Sequence, residues 1–130
     1  MSQQDSQSSL QDVERPGMVT AIAIMTLVNG VLNILYALSV TFGIVLGTFG
    51  IGLLCAPLTI LPGILGIFEI IYATQLLAIP PRAVKPNQTI AILEIAAIAA
   101  GNVISLIVGI LALVFYNDPA VRMYFGRINQ

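Results

Sequence analysis

The sequence predicts an all-α, polytopic membrane protein with four transmembrane helices. Three observations carry that reading. Only 8% of the 130 residues are charged, 58% are apolar, and the mean hydropathy is +0.97. A soluble domain carries about 25% charge, so too little charged surface is left for a fold in water. Apolar stretches longer than about 18 residues fill most of the chain, the length that reads as a membrane span. Glycine and proline clusters divide those stretches into helix-sized pieces.

Residues 1–15 are polar and rich in Ser and Gln, and are expected to be a disordered tail. They lack a basic start and a short apolar core with a small-residue cleavage site, so no signal peptide is expected. Pro16 suits the first turn of a helix, where a missing N–H costs nothing. The first span is expected from Met18 to Val40. As a helix it covers about 34 Å, enough for a hydrocarbon core of about 30 Å.

Phe42 to Ile79 is too long for one ordinary span. Gly43, Gly47, Gly50 and Gly52 loosen its first half, and Pro57 and Pro62 bracket Leu58-Thr59-Ile60-Leu61. Prolines this close break or kink a helix, which predicts a hairpin of spans over 43–60 and 62–79. The alternative is one kinked span with a re-entrant start, giving three spans in all. AIPPRAVKPNQ, residues 78–88, is a loop with three prolines and two basic residues. The last span is expected from Gln88 to Tyr116, long enough to tilt.

These pieces form a bundle over 16–117. Residues 118–130 then form a short helix, with Asp118 as N-cap and Pro119 in the first position. Val121, Tyr124 and Phe125 lie on one side and Arg122 on the other, and Arg127 also stands near the aromatics. That pattern suits a helix lying on lipid headgroups, with a frayed polar tail as the alternative. Four spans put Arg15, Arg122 and Arg127 on one side, against Arg82 and Lys85 on the other. The termini are assigned to the cytoplasm.

Two stretches have a family likeness. RPGMVTAIAIMTLVNGVLNILYAL, with its Arg-Pro-x-x-Val-Thr start, resembles the opening of small bacterial four-span membrane proteins. ILALVFYNDPAVRMYF, with Pro-x-Val-Arg-x-Tyr-Phe, resembles their close. The resemblance implies four spans and a bacterial inner membrane. It implies no activity, and Glu69 and Glu94 are not part of the pattern.

In lipid, helices associate through close packing at small residues and through hydrogen bonds. Ala97, Gly101, Ser105 and Gly109 recur every fourth residue on the last span, and Gly43 and Gly47 do so on the second. Packing within the bundle is expected, with subunit contacts as the alternative. Thr26, Asn29, Asn33 and Tyr36 form a polar stripe on the first span. Cys55, the single cysteine, is expected to be a small buried apolar residue.

Glu69 is the only formal charge between Met18 and Pro81, and Glu94 the only one between Pro86 and Asn117. Counted from the loop, they lie about 15 and 10 Å deep, so an antiparallel hairpin places them at similar depth. With no counter-ion nearby, at least one is expected to keep its proton at neutral pH. It would then donate to Asn29, Asn33 or Asn102, and the acids would act as polar glue. A protonatable ion site is one alternative. Contact with a bound lipid, pigment or neighbouring subunit is another.

Catalytic constellations are missing. Without histidine there is no Ser-His-Asp triad and no Cys/His zinc cluster, and no haem is expected, since the methionines and tyrosines follow no axial-ligand spacing. Five basic residues make no nucleic-acid surface. No enzyme, cofactor or metal is expected. The expected partners are the lipid bilayer and other membrane subunits or further copies of the chain. The expected role is a non-catalytic structural or accessory subunit of a homo-oligomer or larger membrane complex. The alternative is a small proton- or cation-conducting oligomer using Glu69 and Glu94.

Overall fold

The computed structural model describes residues 13–130; most of the expected tail, residues 1–12, lies outside them. The described chain is helical. Helix α1 runs Gly17–Gly47, a 3-10 segment Ile51–Cys55 leads into α2 (Ala56–Leu76), and α3 (Gln88–Ala96) continues as a 3-10 segment Ala97–Ala100. Helix α4 spans Val103–Tyr116 and α5 spans Pro119–Ile128.

The helices form two antiparallel hairpins. The first reversal is Thr48-Phe49-Gly50, where Gly50 takes the left-handed conformation at φ 94°. The Thr48 hydroxyl accepts from Gly52 N–H at 2.7 Å and starts the next segment. The expected hairpin break between 60 and 62 is therefore not there, and α1 continues through Gly43 and Gly47. Pro57 sits in the first turn of α2, where its ring fits, and Pro62 is carried inside that helix. In a membrane helix, neighbouring groups satisfy the carbonyl that an internal proline frees.

The second reversal divides the expected last span. Gly101 is left-handed at φ 82° and ends the 3-10 segment. Asn102 then caps α4, its side chain accepting from Ser105 N–H at 3.1 Å. Glycine followed by asparagine is a helix stop followed by a helix start.

Glycine sets how close the legs come. A Cβ on Gly30 of α1 would lie 2.7 Å from the Gly66 carbonyl oxygen of α2 and 3.0 Å from the Glu69 Cβ. A Cβ on Gly109 of α4 would lie 2.5 Å from the Ala91 carbonyl oxygen of α3 and 2.9 Å from the Glu94 Cβ. Each glutamate thus stands against a glycine of its own hairpin partner. The two hairpins meet where α4 packs on α1.

Two helical segments are long and apolar enough to cross a membrane, Gly17–Gly47 and Ile51–Leu76, and a third if α4 and α5 count as one bent span. Residues 88–100 and 103–116 each cover only about 20 Å, short of a hydrocarbon core of about 30 Å. Helix α5 turns 76° from α4. It lays Val121, Tyr124, Phe125 and Ile128 against a core that includes Val19, Leu76 and Val84. The face expected on headgroups is thus covered by protein, and Asn129 donates to the Val84 carbonyl at 2.9 Å.

The topology gathers the basic residues. Arg15 donates to the Ala78 carbonyl at 2.8 Å, so the start of α1 lies beside the 77–87 connection, and α5 packs on that connection too. Arg15, Arg82, Lys85, Arg122 and Arg127, all the basic residues of the chain, lie at one end of the molecule. The other end carries the Thr48–Gly50 reversal. It exposes Phe42, Leu46, Phe49, Leu54 and Leu58. Cys55 is exposed there as well, not buried as expected; of its segment only Gly52 is packed in, against Ile44 and Thr48.

Gly30→Ala should destabilise the protein by about 1–3 kcal/mol, since an added methyl meets backbone. Gly43→Ala, with open space around it, should be neutral. Unfolding in mixed micelles with increasing SDS measures both.

Candidate functional site: a buried carboxyl pair in an amide network

The polar stripe of α1 faces inward because the rest of that helix faces apolar surroundings. Thr26, Asn29 and Asn33 are buried, at 2%, 1% and 0% exposure. Helix α2 brings Glu69 to them and α3 brings Glu94, both at 0% exposure. Helix α4 brings Ser105 at 0%, and its cap brings Asn102 at 8%.

Asn33 is the hub. Its amide nitrogen donates to both Glu69 oxygens, at 3.0 Å each. Its amide oxygen accepts from the Ser105 hydroxyl at 2.9 Å and from the Asn102 amide at 2.5 Å. Asn29 repeats the pattern more weakly, donating to Glu69 at 3.2 Å and accepting from Ser105 at 3.1 Å. The bonds run opposite to the expected direction. The amides donate and Glu69 accepts, because the Asn33 oxygen is already occupied by donors from α4.

Glu94 completes the group. Its buried carboxyl lies near the Glu69 carboxyl. Neither of its oxygens receives a donor. A carboxylate there would be an orphaned buried acceptor beside a like charge, an arrangement that costs several kcal/mol. One proton on Glu94 would remove that charge and turn the group into a hydrogen-bond donor.

The network is bounded at both ends. Toward the basic end, the Tyr116 hydroxyl donates to the Tyr72 hydroxyl at 3.0 Å. Tyr72 donates to the Lys85 carbonyl at 3.1 Å and accepts from Asn87 N–H at 3.0 Å. Toward the other end, the Tyr36 hydroxyl donates to the Ala100 carbonyl and pins the second hairpin's tip to α1. Beyond it Gly63 meets Ala37, and the next polar contact between α1 and α2 is the Thr41–Thr59 hydroxyl pair at 2.8 Å. That contact lies about 12 Å from Asn33 along α1.

The structure brings together Glu69, Glu94, Asn29, Asn33 and Asn102. Of the small residues, Gly109 and Ser105 line the α4 contact, Ala97 is buried before the break, and Gly101 forms the turn itself. Gly43 and Gly47 have open space around them. Sequence reasoning missed Gly30, Gly66 and the Tyr72–Tyr116 pair. Gly30 adjoins Asn29 and Gly66 lies one turn before Glu69, so glycine beside a buried polar residue was the available signal. Among the described residues, no group of three or more Cys, Asp or Glu side chains is placed to hold a metal ion.

Comparison with family models, curated proteins and solved structures gives no match.

Glu94→Gln should be tolerated, within about 1 kcal/mol, because an amide supplies the donor that the pair needs. Glu69→Gln should cost more, about 2 kcal/mol, because it sets an amide donor against the Asn33 amide. Equal stability of the two variants in the same micelle titration would contradict the network's polarity.

Proposed function

We propose that the protein is a non-catalytic integral membrane protein that serves as a structural or accessory subunit, in a homo-oligomer or a larger membrane complex. The carrying observation is the length of the first hairpin beyond the second. Helix α1 has 31 residues, about 46 Å. Tilted by 40°, the upper end of the usual range, it still covers about 35 Å against a core of about 30 Å. The second hairpin stops at Tyr36, so eleven residues of α1 and the start of α2 project beyond it, packed only on each other. They are apolar, with Phe49 at 99% exposure and Leu54 at 85%. The apolar end that passes the hydrocarbon core offers a surface on which a protein partner would pack, and this supports the reading.

The glutamates fit this role as polar glue inside one chain. The donors to Glu69 come from the same subunit, and among the described residues no hydrogen bond links the network to the Tyr72–Tyr116 pair toward the basic end or to the Thr41–Thr59 pair toward the other. A conductor needs continuity to both sides, so the ion-conducting alternative has less support. A photo-crosslinking amino acid at Leu54 should yield protein adducts in the native membrane. Lipid adducts alone would remove the basis for a partner. Reconstituted in liposomes, the wild-type protein should pass protons no faster than protein-free vesicles.

We assign the basic end to the cytoplasm of a bacterial inner membrane. Five basic residues against none is a stronger bias than the three against two expected from four spans. In Cys55→Ser protein, a cysteine at Phe49 should react with a membrane-impermeant maleimide in intact spheroplasts, and one at Lys85 should not. Labelling at Lys85 alone would reverse the assignment.

A further inference from the structure

Helices α2 and α3 belong to different hairpins, joined by residues 77–87, and meet more sparsely than the two legs of either hairpin. A cleft separates them. Its upper part, about 390 Å³, is apolar, with Leu58, Leu61 and Phe68 on one wall and Leu93, Ala96 and Ala100 on the other. The small alanines keep it hollow. It continues past Leu65, Phe68 and Leu93 into a second section of about 400 Å³ that reaches Gln75, Asn87 and Thr89. Those residues also line a polar pocket of about 580 Å³ formed with Lys85 and Gln88. The three volumes therefore share walls and make one amphipathic cleft, each section of a size that holds a ligand.

We infer that this cleft binds one anionic phospholipid, with its headgroup at Lys85 and one acyl chain along the groove between α2 and α3. Three features select that occupant. The apolar section opens between side chains that face the membrane: Leu58, Phe68 and Leu93 are 65%, 59% and 48% exposed. The polar section sits at the end of the molecule that holds every basic residue, and no acid lines it. Lys85 therefore meets a phosphate without a competing carboxylate, and Asn87, Gln88 and Thr89 add neutral hydrogen-bonding groups. From Gln75 to Leu58 the groove covers about 25 Å, more than the roughly 15 Å of one leaflet's hydrocarbon, so an acyl chain lies in it at full length. A second protein helix fits less well, because a polar pocket with a lysine at its mouth offers an apolar helix nothing.

The experiment is native mass spectrometry of the full chain, delipidated in mild detergent and titrated with phosphatidylglycerol or phosphatidylcholine. One phosphatidylglycerol per protein is expected, bound at least fivefold tighter than phosphatidylcholine. Lys85→Gln should remove that preference while still binding one lipid. Ala96→Phe, at an exposed position on the groove wall, should abolish retention of both lipids with helix content and micelle stability unchanged. Equal binding of the two lipids by the wild-type chain, or retention unaffected by Ala96→Phe, would overturn the inference. So would a lipid-free dimer that an Ala96 cysteine cross-links, which would make the cleft a protein contact.

Discussion

Everything in this fold arranges itself around two carboxyl groups in an apolar interior without a counter-ion. An uncompensated carboxylate in such surroundings costs several kcal/mol. Asn33 resolves most of that cost, since one planar side chain gives its donors to Glu69 and its acceptor to α4. Its hydrogen bonds join α1, α2 and α4, and Asn29 one turn earlier joins the same three helices with fewer bonds. A side-chain hydrogen bond between membrane helices is worth only about 0.6 kcal/mol on average. The network matters through the penalty for leaving a member unpaired more than through its sum.

Backbone packing follows from the same requirement. For a glutamate side chain to reach an amide on the neighbouring helix, the helices must approach until backbone meets backbone. Glycine stands at both places: Gly30 against Gly66 and Glu69, and Gly109 against Ala91 and Glu94. The first hairpin carries its glycine contact on the leg before the acid, and the second carries it on the leg after. The two acid-bearing legs therefore come to the centre of the chain order and the two glycine legs to its ends. Helix α1 and helix α4 then close on each other through Asn29, Asn33 and Ser105.

The all-helical class, the apolar helices and the polar stripe were legible from composition and spacing. The reversals were not. Pro57 and Pro62 drew attention as breakers, yet α2 accommodates both. The chain turns at Gly50, where a left-handed residue is required. Gly101 illustrates the ambiguity of glycine in a membrane sequence. Its fourfold spacing with Ala97, Ser105 and Gly109 reads as a packing face, whereas its neighbour Asn102 makes it a helix terminator. Residue type was informative in both readings, and only the asparagine that follows distinguishes them. The carboxyl pair was foreseeable as a coincidence of depth. The direction of its hydrogen bonds was not, because that depends on what α4 donates to Asn33.

Placing the reversals correctly changes the distribution of charge. Two hairpins return every polar connection to one end, and neither Thr48–Gly50 nor Ala100–Asn102 carries a charge. With the basic end in the cytoplasm, as proposed, none of the five basic residues has to cross the hydrocarbon core. The two acids travel only as far as their own helices carry them, about 10 to 15 Å. At that depth a solitary carboxylate is unfavourable, and one that accepts from two amides, as Glu69 does, is less so. The charge asymmetry, the hairpin order and the amide network are thus one solution: they allow a chain with two intramembrane acids to enter lipid from a single side.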